Sequence, residues 1–338
     1  MSLDRAALTA RVKALAIEAG FSRAGVASAH DRPDDLDHLR AWLDAGMHGP
    51  MTWLEKEPER RADPGRVVEG ARAVLMLALD YDSDAPRSID VLGPAGHDAP
   101  AGQGWISRYA WGDDYHDVAE RRLKALTEAV ASEAGGWLGR SFDARREFRW
   151  MVDYGPLLER RWAEEAGLGW QGKHSLLVDP VRGSFFFLAG VVTTLPLLPD
   201  TPQTDHCGSC TRCIDVCPTQ AIVEPRKVDA RRCISTLTIE TRGALDADQR
   251  VMLGDHVFGC DLCQDVCPFN RFSRPAGEPA FAPREGLVAP RLEALAALDD
   301  DAFRERFRRS AVKRNKRSGL LRNVEAVREN QRRRGAGE

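Results

Sequence analysis

Cysteine is absent from the first 206 of the 338 residues, which excludes a disulfide framework spread through the whole chain. Long hydrophobic runs are also missing. The longest, Phe185 to Val192 (FFFLAGVV), is well short of the roughly 20 residues that a membrane-spanning helix needs. The N-terminal stretch MSLDRAALTA has neither the cationic start nor the apolar centre of a secretory signal. A cytoplasmic protein with no membrane contact is the expectation. No repeat of solenoid length runs through the sequence. Nor is there a large excess of charge: 48 basic residues stand against 51 acidic ones, for a net of −3. That balance hides an asymmetry, because residues 301–338 hold 13 Lys/Arg and 5 Asp/Glu, leaving the body at about −11. A basic end on an acidic body suits contact with a polyanion, although a solvated helix face carries the same pattern.

What is present is an apolar share of 43%, ordinary for a globular core, in a chain long enough for about two packed units. Residues 5–19 alternate at helical spacing and stop at Gly20, so a helix is expected there, followed by a strand in GFSRAGVAS. A helix is expected over Leu36 to Ala45, a buried strand over Ala73–Leu79, and an amphipathic helix over Asp117–Glu133. Residues 82–104, rich in Gly, Pro, Asp and Ala, read as an exposed loop. Phe148 to Val152 and Ser184 to Val192 read as further buried strands. Helices alternating with apolar strands imply an α/β or α+β domain over 1–202. A cysteine module over 203–272 and a helical basic tail over 273–338 complete the expected division.

All eight cysteines lie between Cys207 and Cys267. Cys207, Cys210, Cys213, Cys217 and Pro218 follow the bacterial ferredoxin spacing, in which three thiolates wrap one 4Fe–4S cluster and the fourth, before proline, serves the other. Cys260, Cys263, Cys267 and Pro268 form a second half in which Val257 stands where a further cysteine is due. Cys233 is the remaining thiol and completes the set. Cluster one then takes Cys207, Cys210, Cys213 and Cys267; cluster two takes Cys217, Cys233, Cys260 and Cys263. Structural zinc also uses C-x2-C pairs, but not this displaced Cys-Pro arrangement repeated in two halves. Two clusters imply single-electron transfer, and so large an attached domain implies a substrate site.

Six further stretches occur in a fixed order: Arg108 to His116 (RYAWGDDYH), Val152 to Arg160 (VDYGPLLER), Gly169 to Leu177 (GWQGKHSLL), Arg232 to Glu240 (RCISTLTIE), Gly259 to Asn270, and Lys313-Arg314 with Gly319 to Asn323 (GLLRN). Together they resemble the epoxyqueuosine reductase family, cobalamin-dependent enzymes that complete queuosine in transfer RNA, over about residues 10 to 325. The chain is similar to the family's shorter members. The resemblance implies a base-off corrinoid with no histidine beneath cobalt, in contact with Arg61, Tyr115, His116, Arg160, Gly172, Lys173, His174, Ser175, Ser235 and Glu240. It implies RNA contacts at Arg242, Lys313, Arg314, Lys316, Arg317, Arg322 and Asn323. It places the family's proton donor at Asp153, an aspartate that could otherwise cap a helix beginning near Pro156. GWQGKHS could equally be an ordinary strand–turn connection, and His116 a surface histidine.

The implied fold is an α/β (α+β) cobalamin-binding domain with a ferredoxin-like two-cluster module and a short helical basic C-terminal segment. The implied reaction reduces the epoxide of epoxyqueuosine at the wobble position, with two electrons, two protons and loss of water. Cobalt(I) supplies the reducing power and the clusters refill it. For Asp153 to donate a proton near neutrality, burial must raise its pKa from about 3.9. The expected partners are the tRNA anticodon loop and an external low-potential electron donor, with the chain a monomer. Two other readings remain: a corrinoid reductase of a small molecule, like the reductive dehalogenases, and a plain electron-transfer protein.

Overall fold

A computed structural model describes residues 4–336; the outermost residues of the two flanking segments, 1–3 and 337–338, lie outside it. Helix α1 (Arg5–Glu18) starts where the Asp4 carboxylate accepts from the amides of Ala6 and Ala7, and Gly20, at φ 100°, turns the chain after its end. β1 (Arg23–Ser28), α2 (Pro33–Asp44), β2 (Ala73–Asp80) and β3 (Trp105–Ile106) follow. Then come α3 (Tyr115–Leu138), β4 (Phe148–Met151), α4 (Glu159–Glu165), β5 (Trp170–Gln171), β6 (Leu177–Val178) and β7 (Phe186–Thr193). Helix α3 outruns its expected span at both ends. Asp114 caps its start by accepting from the His116 amide, and its end waits for Gly139 in the left-handed region, φ 62°.

The main sheet runs β1-β2-β7-β4 with every pair antiparallel, so the fold is α+β. Almost all of β2 is buried, because both faces of the sheet are covered. On one face Leu75 and Leu77 meet Leu8, Val12 and Leu15 of α1 and Leu123 and Leu126 of α3. On the other, Val74 and Met76 meet Trp162 and Ala163 of α4. Each such side chain fully buried stabilises the fold by about 1.5–3 kcal/mol. Helix α4 sits close: a Cβ on Gly25 would lie 2.1 Å from the Ala166 carbonyl oxygen. This packing holds the loop before α4, which carries Asp153, against the sheet.

Beyond residue 200 come β8 (Ile222–Glu224), β9 (Lys227–Val228), α5 (Ile234–Ile239), β10 (His256–Phe258) and the C-terminal helix α6 (Lys316–Gly335). Strand β10 pairs in parallel with β3, so the cysteine module is sewn to the first segment. A second core joins Leu92, Trp105, Ile106 and Trp111 to Val257, Phe258, Leu292, Leu320, Val324 and Val327, crossing all three expected segments.

Two expectations change here. Residues 82–104 are not simply an exposed loop: a short helix, Ser88–Leu92, buries Ser88 and Leu92, and the Ser88 amide donates to Asp265 Oδ2 at 2.7 Å. Nor is the C-terminal segment a free tail. Helix α6 buries Leu320, Asn323, Val324, Val327 and Asn330, a helical stripe that the arginine content of the segment obscures. Asn323 is fully buried and donates to the carbonyls of Thr238 (2.8 Å) and Val257 (2.9 Å), tying α6 to α5 and β10. Asn323→Ala leaves both carbonyls without that donor, so chemical denaturation should register a loss of about 2–3 kcal/mol.

Candidate active site and iron–sulfur module

Asp153 stands at the turn between β4 and α4 with φ 57°. It does not cap α4, whose N-cap is Leu158. Instead its Oδ2 accepts the Tyr115 hydroxyl at 2.7 Å and faces His116 Nε2 at 3.7 Å. The other imidazole nitrogen, Nδ1, lies 2.8 Å from Asp114 Oδ1, so the residue that caps α3 also orients His116. Burial alone would lower the His116 pKa, but hydrogen bonds and charge from Asp114 and Asp153 lift it to about 9. His116 is therefore an imidazolium at neutral pH. Burial raises the Asp153 pKa, yet hydrogen bonds from His116 and Tyr115 more than offset it and leave it below the ordinary value. The expected elevation is thus reversed. The Asp153 side chain is 57% exposed, so water screens these charges.

Glu159, which sequence reasoning passed over, supplies what Asp153 lacks. Its Oε1 accepts from the Asp153 amide at 2.8 Å. Burial, with the Asp153 charge added, pushes its carboxyl up to about 8, so it holds a proton at neutral pH. A second carboxylate six residues after Asp153, in the first turn of a helix, was the available signal. Arg61 straps the same loop: its Nη1 donates to the Gly155 carbonyl at 3.3 Å and its own carbonyl accepts the Leu158 amide at 3.2 Å.

GWQGKHS is a strand–turn–strand, β5 to β6, and its turn brings His174 and Ser175 to Arg160 of α4. Arg160 Nη1 donates to the Ser175 carbonyl at 2.9 Å. Arg160 is exposed as a residue, and desolvation lowers its guanidinium pKa against the opposing charges of Asp153 and Glu159. His174 is buried, and burial with the Arg160 charge lowers its pKa to about 4, so it is neutral. Its Nδ1 accepts the Leu176 amide at 3.1 Å, which puts the proton on Nε2. That Nε2, Ser175 Oγ and Arg61 Nε are buried and have no hydrogen-bond partner. Buried unpartnered donors of this kind, two on the β5–β6 turn and one on the residue that straps the Asp153 loop, are what a bound group rich in acceptors satisfies.

The remaining expected contacts divide. Lys173 turns away, its Nζ donating to the Gly208 carbonyl at 2.7 Å beside Cys207. Gly172 allows the turn: a Cβ there would meet His174 Cε1 at 2.9 Å. Glu240, at the end of α5, pairs with Arg314 at 2.9 Å, and the Arg314 charge reaches Asp153 and Tyr115. Ser235 is partly buried on α5, two residues after Cys233. Arg242, Lys313, Arg314 and Lys316 are exposed. Two expected RNA contacts are corrected. Asn323 is enclosed in the second core, and Arg322 spends its donors on the carbonyls of Leu237, Thr241 and Gly243. Both hold α6 in place. Arg317 is half-way between, its Nε donating to the Leu298 carbonyl at 2.6 Å.

The eight thiols gather in two groups. Burial raises the Cys213 thiol to about 11, and its nearest thiol neighbours are Cys267, Cys207 and Cys210. Burial likewise raises Cys263 and Cys260, whose nearest thiol neighbours include Cys233, with Cys217 next to Cys263 and Cys233. The charge of Cys213 also acts on Cys263, which links the two groups. The fully buried Trp170 aims Nε1 at Cys207 Sγ, 3.4 Å away, and the Ala221 amide donates to Cys217 Sγ at 3.2 Å.

Comparison with known proteins gives the family. A 4Fe–4S double cluster binding domain matches residues 206–270, and the model for "Epoxyqueuosine reductase QueG, DUF1730" matches residues 61–153, ending on Asp153. Epoxyqueuosine reductase of Xanthomonas campestris is 42% identical over 93% of this chain and 84% of its own. The enzyme of Cellulophaga algicola is 41% identical over 93% and 96%, and that of Escherichia coli 39% over 95% and 81%. The crystal structure of an epoxyqueuosine reductase holding a tyrosine-tRNA stem loop with epoxyqueuosine superposes with a TM-score of 0.83 at 31% identity, covering 98% of this chain and 83% of that one. The Bacillus subtilis enzyme, solved with its aspartate catalytic loop swung out of the active site, superposes with a TM-score of 0.82 at 30% identity over 98% and 83%. With identity of this order running through nearly the whole sequence, the chain belongs to the epoxyqueuosine reductase family and is an oxidoreductase.

Proposed function

We propose that this chain reduces the epoxide of epoxyqueuosine in the tRNA anticodon loop to give queuosine, passing electrons through two 4Fe–4S clusters to a base-off cobalamin. The observation that carries this reading is a chain of contacts between residues distant in sequence: Tyr115 and His116 meet the Asp153 carboxylate, Arg61 straps its loop, and Arg160 of the following helix meets His174 and Ser175. The clusters would take the two thiol groups as divided above, with Cys213 and Cys263 between them as the point of electron passage. Cobalamin, when bound, would supply a strongly reducing cobalt centre. Its edge carries carboxamides and a phosphate, which are the acceptors that His174 Nε2, Ser175 Oγ and Arg61 Nε need. Both nitrogens of His116 face carboxylates, and the unpartnered Nε2 of His174 carries a proton, which fits a corrinoid without a histidine ligand from either residue.

The overall change consumes two electrons and two protons and releases the epoxide oxygen as water. Asp153 delivers a proton to that oxygen. It is ionised at rest and is recharged from the His116 imidazolium across the 3.7 Å gap. Glu159 fixes the Asp153 amide and holds a second proton nearby. Tyr115 keeps the carboxylate in line through its hydroxyl. Exposed Lys313, Arg314, Lys316 and Arg242 offer cations to the phosphates of the stem, which position RNA without reading its sequence. The modified base then leaves the loop to reach Asp153.

The test is anaerobic incubation of reconstituted protein with an anticodon stem loop bearing epoxyqueuosine, under strong reductant, with and without cobalamin. Loss of one oxygen from the RNA by mass, dependent on added cobalamin, is the expected result. Conversion without cobalamin would remove the corrinoid from the reading, and no conversion in either arm would remove the reaction.

A further inference from the structure

Tyr154, next to the catalytic-loop aspartate, is 58% exposed. A lone exposed tyrosine needs no explanation, since apolar surface is common on any protein. This one is the outer end of a column of rings. Phe187, on β7 and packed against the main core, stacks on Tyr115 with centroids 4.3 Å apart and planes 7° from parallel. Tyr115 stacks on His116 at 4.0 Å and 29°. Two rings cannot both lie about 4 Å above the same face of Tyr115 without colliding, so Phe187 and His116 occupy opposite faces. His116 in turn lies 5.7 Å from Tyr154, with planes 22° apart. The column therefore runs Phe187–Tyr115–His116–Tyr154, from the sheet to solvent, alongside the Asp153 carboxylate. The Tyr154 ring is held at its far edge, where its hydroxyl donates to Glu120 Oε1 at 2.7 Å. Among the described residues no other ring pairs with it.

We propose that the free face of Tyr154 is a stacking platform for a nucleobase of the RNA substrate, which continues the column by one more ring. The inference rests on the RNA reading above and adds a subsite to it. A base beside the modified nucleotide loses its own stacking neighbour when that nucleotide is drawn toward Asp153. A fixed, exposed aromatic face replaces the lost neighbour, and it accepts any base because every base has a π-face. The edge contact with Glu120 presets the ring, so little rotamer freedom is lost on binding. Stacking of this kind is present before and during the reaction, and so acts on binding rather than on the chemical step.

The probe is an anticodon stem loop with 2-aminopurine placed in turn at each loop position flanking the modified one. Wild type should quench one position, and Tyr154→Ala should lose that quench. The same variant should bind the stem loop about fivefold or more weakly, the factor that corresponds to about 1 kcal/mol at the low end for one stacked base. In turnover the loss should appear in KM rather than in kcat. Tyr154→Phe, which keeps the ring and gives up the Glu120 bond, should keep the quench. Iron content and corrinoid absorbance should be the same in all three proteins. If Tyr154→Ala quenches and binds like a wild type that is itself active on RNA, the platform is overturned. Loss of corrinoid loading in Tyr154→Ala would also overturn it, by assigning the ring to the cofactor. A wild type that neither binds nor converts the stem loop would instead sink the RNA reading, and the platform with it.

Discussion

Asp153→Asn should keep its iron, its corrinoid and its affinity for RNA, yet lose roughly 100-fold or more in turnover, the usual scale of a missing general acid. The substitution preserves shape, and the Asp153 amide can still donate to Glu159. The side chain no longer takes a proton from His116 and no longer passes one on. With only one carboxylate left beside it, the imidazolium should lose part of the support that lifts its pKa to about 9. Raising the pH acts on the same protons in wild type. Glu159 gives up its proton near 8 and His116 near 9, so the proton-dependent rate should be level around neutrality and fall as pH rises through that window. The sign for stability is the same. A histidine whose pKa is raised on folding contributes fully below about 6.5 and loses that contribution as pH rises through about 9. Near-normal turnover by Asp153→Asn, with corrinoid loading confirmed, would move the proton to Tyr115 or to water.

The second large effect is on the clusters. Anaerobic reconstitution of wild type should give about eight iron per chain, and Cys233→Ala about four, because the second group of thiols loses a ligand that no other cysteine can replace. The backbone around Cys233 should survive. Its carbonyl accepts the Leu237 amide at 2.9 Å, and Ile234, Leu237 and Ile239 bury one side of α5. The remaining iron should therefore belong to the group of Cys207, Cys210, Cys213 and Cys267, with turnover lost because one of the two electron carriers is missing. Eight iron retained in the variant would dissolve the division.

The main sheet's strands were legible as apolar runs, and the helices by their period, because burial writes both patterns locally. The order β1-β2-β7-β4 was not, since pairing partners are set by contacts between residues far apart in sequence, such as Met76 opposite Gly190 and Met151 opposite the same glycine. The cysteine module was legible because cluster geometry constrains spacing. Short β3 and β10 were hidden, two or three residues being too few for any period to show. Arg322 and Asn323 misled because a charged or amide side chain reads as surface until its acceptors are known. At the active site, the motif order pointed to Asp153, while the direction of its pKa depended on His116 and Tyr115, which lie on a different helix. The helix-cap alternative disappeared for a similar reason: α4 begins three residues later than Pro156 implied.

The interlocked second core also imposes an order in time. Strand β10 leads directly into Cys260, and it is fixed on one side by β3 and on the other by Asn323 of α6. On the ribosome, β3 emerges early and waits, whereas Asn323 is made 56 residues after Cys267. At the usual 5–20 residues per second that is an interval of about 3–11 s in which all eight cysteines have been synthesised but the frame around β10 is still open. Iron–sulfur loading thus has a natural window before closure, while a chain that closes without its clusters still presents seven partly exposed cysteines to reconstitution, with only Cys213 buried.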